Sequence, residues 1–75
     1  MSFVSKRLIE LKNQRNLLQK EIATGSKLSL RGYQNYERGV REPNADALIA
    51  LADFFDVSID YLVGRSDDPL RRMNN

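Results

Sequence analysis

Arg31, Gln34, Asn35 and Arg38 carry planar groups that form paired hydrogen bonds, and they recur at i, i+3, i+4 and i+7. On a helix turning about 100° per residue they fall in one stripe. Tyr33, Tyr36 and Glu37 fall on the opposite side, where they can pack. Guanidinium and carboxamide groups suit the edges of base pairs in the major groove. Arginine spans O6 and N7 of guanine, and Asn or Gln spans N6 and N7 of adenine. Leu30, one position ahead of the stripe, suits a thymine methyl. The plain alternative is a solvated helix face. Glu and Lys ordinarily fill such a face, and this stripe contains neither.

Other kinds of chemistry find little to work with. The 75 residues include no cysteine and no histidine. Disulfides, thiolate metal sites, a cysteine nucleophile and the commonest general base are therefore all missing. No paired-carboxylate motif or glycine-rich phosphate loop is present, so the expectation is a protein that is not an enzyme and uses no cofactor or metal. No apolar run approaches the ~20 residues that cross a bilayer. Met1 to Arg7 lacks the apolar stretch of a secretory signal, which points to a cytoplasmic protein.

The charge is sorted along the chain. Residues 1–41 hold nine Lys and Arg against three Glu, a net +6, while residues 42–75 hold three Arg against seven acids, a net −4. A basic half beside an acidic half fits a protein with one face turned to a polyanion.

The stripe must sit on a helix held by others. Val4, Leu8 and Leu11 follow helical spacing and predict a first helix over about 5–14, ending near Asn16. A second helix is predicted over 19–24. Ser29 is a good N-cap for a third, running to Glu37 or Arg38 with Gly39 as its stop. Val40 to Pro43 reads as a loop. Asn44 caps a fourth helix with Asp46 in its first turn and Leu48, Leu51, Ala52 and Phe55 as its apolar stripe. Ser58 caps a short fifth, closed by Gly64. The expected architecture is a single all-α domain over 1–64, followed by a tail or the start of a linker over 65–75. Gly25 and Gly32 each cost a helix ~1 kcal/mol relative to alanine.

Gln19-x-x-Ile22-Ala23, then Ser29, Tyr36-Glu37-x-Gly39, Pro43, and Leu48 through Leu51-Ala52-Asp53-Phe54-Phe55-Asp56-Val57-Ser58-Ile59-Asp60-Tyr61-Leu62-x-Gly64 stand at joint spacings that resemble the Cro/cI-type (XRE) helix-turn-helix. The likeness covers about 7–64. It implies a compact, lambda-repressor-like domain of five helices, the second and third forming the DNA-reading unit, with the third in the major groove. Position by position, it implies base reading by Leu30, Arg31, Gln34 and Asn35, and phosphate contacts from Gln19 and Arg38. Lys27 and Arg41 join the phosphate set by charge and location, and Ser29 joins it by location. Ala23 matches the small residue that lets the two helices approach, and Lys12 and Glu37 occupy positions that pair in some members. The sequence departs from the family pattern at Lys27, where glycine is usual, at Ser26, where leucine is usual, and at Leu18, where a Thr or Ser cap is usual.

The function expected from these residues is a sequence-specific transcriptional regulator of bacterial or phage type. It would be a repressor bound to a palindromic double-stranded DNA operator as a homodimer, with no membrane, metal or cofactor partner. Val57, Ile59, Tyr61 and Val63 serve either a dimer interface or the core. A protein-interaction module on the same fold, such as an antitoxin or anti-repressor partner, is the alternative. Such a module would replace the Arg31/Gln34/Asn35/Arg38 stripe with apolar or aromatic anchors.

Overall fold

The computed structural model describes residues 2–71. Among them lie five α-helices and no strand: α1 (Phe3–Gln14), α2 (Gln19–Gly25), α3 (Leu30–Glu37), α4 (Ala45–Phe55) and α5 (Ile59–Val63). The fold is all-α, as the capping residues and apolar spacing predict. Of the expected tail, residues 72–75 lie outside the described residues.

Side-chain caps start four of the helices. Ser2, Ser29, Asn44 and Ser58 each accept a hydrogen bond from the backbone N–H three residues on. This satisfies one of the donors a helix start leaves open. The Ser2 cap begins α1 at Phe3, two residues before the sequence-based start. Helix ends follow the same local logic. Asn16, Gly39, Asp56 and Gly64 adopt positive φ at or just past the ends of α1, α3, α4 and α5, where left-handed backbone ends a helix.

Packing gathers Val4, Leu8 and Leu11 of α1, Ile22 and Ala23 of α2, Tyr33 of α3, Leu51, Ala52 and Phe55 of α4, and Val57, Tyr61 and Leu62 into one buried cluster. Val57 and Tyr61 are core residues, so of the four residues that served either role only Ile59 is exposed and Val63 is half-buried. Leu48 lies half-buried at the margin of the α4 stripe, and Ala47 is buried in its place.

The first and last helices are clasped by Arg7. Its Nε donates to the Tyr61 carbonyl at 3.0 Å, and its guanidinium lies 3.8 Å from the Tyr61 ring centroid and 4.7 Å from that of Phe3. Burying a cation is costly unless it is paired, and here two aromatic faces, a carbonyl and Glu10 at 3.4 Å share the task. Residues 66–71 then turn back along α4 and α5. Ser58 N–H donates to the Pro69 carbonyl, and Arg71 meets Asp53 at 2.6 Å and Asp56 at 3.6 Å. No described helix is long and apolar enough to cross a membrane.

Candidate nucleic-acid interface

Helix α3 is anchored from behind and open in front. Tyr33 is fully buried and Glu37 nearly so, whereas Leu30, Arg31 and Arg38 are exposed and Gln34 and Asn35 are half-buried. The helical stripe read from the sequence is therefore partly sunk along Gln34 and Asn35 and free at Arg31 and Arg38. Ser29 holds the start of the helix by accepting from Gly32 N–H at 2.9 Å. A Cβ at position 32 would lie 2.9 Å from that Ser29 Oγ. Glycine there leaves the cap undisturbed, a reason for it that the propensity penalty alone did not suggest. At the other end, the Asn35 carbonyl accepts from both Val40 and Arg41 N–H groups. This brings the backbone of Arg41 against the end of α3.

The other proposed contact residues surround this helix. Gln19 opens α2 and is half-buried; Lys27 is exposed in the turn before α3; Arg41 is exposed in the loop after it. Neither Lys20, Lys27, Arg31, Arg38 nor Arg41 pairs with an acid among the described residues. Cations without an internal partner remain available to a polyanion. Lys20, exposed on α2, belongs with this group and was missed from sequence, because its position carries no pattern beyond its charge.

A buried carboxylate ties the two helices of the unit together. Glu37 Oε2 accepts from the Tyr33 hydroxyl at 2.7 Å, and Oε1 accepts from Lys12 Nζ and from Gln19 Nε2, each at 2.9 Å. Gln19 Oε1 accepts in turn from Gln34 Nε2 at 3.0 Å. Burial alone would push the Glu37 carboxyl upward. Its bonds from Lys12, Tyr33 and Gln19 and the Lys12 charge outweigh that and hold it below the ordinary carboxylate range. Tyr33 is driven the other way, by burial first and by the adjacent Glu37 carboxylate second, and stays a neutral donor. Ser5, wholly buried on α1, donates to the Glu37 carbonyl and fixes the end of α3 from below. The Lys12–Glu37 pair is the one the family likeness implied. The bridge from Gln19 to Gln34, fifteen residues apart, left no signal in the spacing.

The departures from the family pattern have visible consequences. Lys27 takes left-handed backbone, φ 58°, in the turn where glycine is usual. Ser26 is buried and its hydroxyl finds no hydrogen-bond partner among the described residues. Leu18 cannot cap with its side chain and stays exposed, so only Glu21 works there, accepting from Leu18 N–H at 2.7 Å. Gly25 is not a mere cost: a Cβ at this position would overlap the Phe54 ring of α4. Its glycine lets α2 lie against α4.

The helix-turn-helix family model matches residues 8–62, a span that runs from within α1 into α5. The chain belongs to the XRE-type helix-turn-helix family. Members of this family are DNA-binding transcriptional regulators. The chain is 36% identical over 64 residues to the HTH-type transcriptional regulator ImmR of Bacillus subtilis, an alignment covering 85% of this chain and 50% of ImmR. It is 33% identical over 63 residues to the cryptic phage CTXphi transcriptional repressor RstR of Vibrio cholerae, covering 84% of this chain and 57% of RstR. A solved transcriptional regulator from Listeria innocua superposes with a TM-score of 0.75 at 30% identity, over 96% of this chain and 64% of that one. The chain thus spans about half the length of the curated relatives it matches.

Proposed function

We propose that this chain is the DNA-reading part of a transcriptional repressor, which binds a palindromic operator as a homodimer with α3 in the major groove. Leu30, Arg31, Gln34 and Asn35 contact base edges, and Gln19, Lys27, Ser29, Arg38 and Arg41 hold the phosphate backbone. The observation that carries this reading is Arg31. It is exposed on the first turn of a helix whose far side is locked into the core, and it has no acidic partner among the described residues. Repression follows from occupying a promoter in the cytoplasm of a bacterium, on a chromosomal or phage gene. The regulator performs no chemistry. RstR, by its name a phage repressor, supports the direction of control. Homodimerisation is inferred from mechanism, because one small module makes too few contacts for tight and selective binding. The exposed Ile49, Ile59 and Leu70 around the α4–α5 surface offer an apolar face for it.

Footprinting against the DNA flanking its own gene, followed by titration of variants, tests the assignment. Arg31→Ala and Asn35→Ala are expected to cost about 1–3 kcal/mol each at the protected site and much less on random duplex. Arg38→Ala should weaken both by similar factors and flatten the dependence on salt. Equal losses on both duplexes for Arg31→Ala and Asn35→Ala would remove these residues from base reading. No protected site and no salt-dependent DNA binding would favour a protein-interaction module.

A further inference from the structure

The two ends of a carboxamide are alike in shape and opposite in hydrogen bonding. Gln19 and Gln34 place two such groups at the junction of α2 and α3, and one carboxylate decides which way round both of them sit. Glu37 is an acceptor only when ionised. Gln19 must therefore turn its Nε2 toward Glu37 Oε1, 2.9 Å away, and its own Oε1 outward. That oxygen accepts from Gln34 Nε2 at 3.0 Å. Gln34 in turn commits one N–H to Gln19 and keeps its second N–H and its Oε1. This remaining pair is the one that reads adenine, the oxygen accepting from N6–H and the N–H donating to N7.

We propose that Glu37, acting through Gln19, is a positioning residue for base choice, which fixes the Gln34 carboxamide in the orientation that selects adenine. The inference rests on α3 being the base-contacting helix, and goes past that reading by assigning one base and the device that sets it. Two features support it. The Glu37 carboxylate is buried and already bonded by Lys12 and Tyr33, so it cannot swing away from Gln19. Gln19 and Gln34 are each half-buried, which limits their rotamers while leaving an edge open to solvent. A carboxamide without such a tether samples both orientations and presents donor and acceptor in either order. Discrimination between adenine and the other bases is then weakened.

The test uses Gln19→Met and Gln34→Met, which keep side-chain length, remove the amides and leave the Lys12–Glu37–Tyr33 cluster in place. Each protein selects its preferred duplexes from a random library, with circular dichroism confirming the fold. One adenine in the wild-type consensus is expected to lose about tenfold of its preference in Gln34→Met. The same adenine should lose as much in Gln19→Met, and the double variant should lose no more than either single one. In the free protein, the two side-chain amide protons of Gln34 should be separately shifted in the NMR spectrum and revert toward the values of an unbound glutamine in Gln19→Met. If Gln19→Met weakens binding to every sequence alike and keeps the adenine preference, the positioning role is overturned while the reading of α3 stands. If Gln34→Met loses preference for a different base, the adenine assignment is overturned. If the wild type selects no sequence, both this inference and the reading of α3 fall.

Discussion

Helices α2 and α3 are bonded through polar side chains in addition to their apolar contact, whereas α4 and α5 meet through apolar ones. Gln19 bonds both Glu37 and Gln34 across the first junction, and Tyr33 braces Glu37 from within α3; Leu51, Ala52, Phe55, Val57 and Leu62 fill the second. The two halves also differ in how well they are finished. Helix α2 starts without a side-chain cap, and the turn after it holds a buried hydroxyl without a partner among the described residues. The α4–α5 pair has side-chain caps at both starts and left-handed backbone at both ends. An apolar contact stabilises without caring about direction. A hydrogen-bonded contact fixes direction and adds little net stability. The molecule uses each where its property is needed: orientation beside α3, cohesion behind it.

The largest effect is expected where cohesion is removed. Phe55 is fully buried and packs edge-to-face on Phe54, with ring centroids 5.1 Å apart. Phe55→Ala should cost about 3–5 kcal/mol, enough to unfold much of so small a domain. Urea melts measure it. A loss below about 1 kcal/mol would mean that the apolar half does not hold the fold together.

A smaller effect is expected from acid. In the folded chain the Glu37 carboxyl titrates below its ordinary range, so folding favours its ionised form. Its contribution is complete above the carboxylate range of the unfolded chain and is lost as pH falls through the lower, folded-state value. Thermal melts across that acidic window should drop more for the wild type than for Glu37→Gln. Parallel curves would show that the polar junction is held by something other than the charge.

The smallest effect has the opposite sign. Lys27→Gly relieves left-handed backbone and should raise stability by about 1 kcal/mol. The same change removes a cation from the proposed phosphate set, so DNA affinity should fall as melting temperature rises. A lower melting temperature would mean that the Lys27 side chain itself supports the turn.

Elements governed by neighbouring residues were legible in the sequence. Ser29, Asn44 and Ser58 announced three helix starts, and Gly39 and Gly64 announced two stops, because a cap acts over three or four residues. The exposed, charged part of the stripe was legible for the same reason: helical periodicity alone sets Arg31 and Arg38 opposite Tyr33. What escaped was set by distant partners. Gly25 read as a weak point in α2 until Phe54 of α4 was seen to occupy the space a side chain would need. Arg7 looked like one more basic residue and proved to be the buried clasp between α1 and α5. Gln34 looked free to contact DNA with its whole amide, and one of its N–H groups is committed to Gln19.

The Arg7 clasp also turns the chain into a nearly closed ring. Arg7 and Tyr61 are 54 residues apart in sequence, and a Cβ on Gly64 would lie 2.7 Å from the Phe3 ring. The entropy of closing a loop grows only with the logarithm of its length, so drawing these distant points together costs little more than closing half the chain.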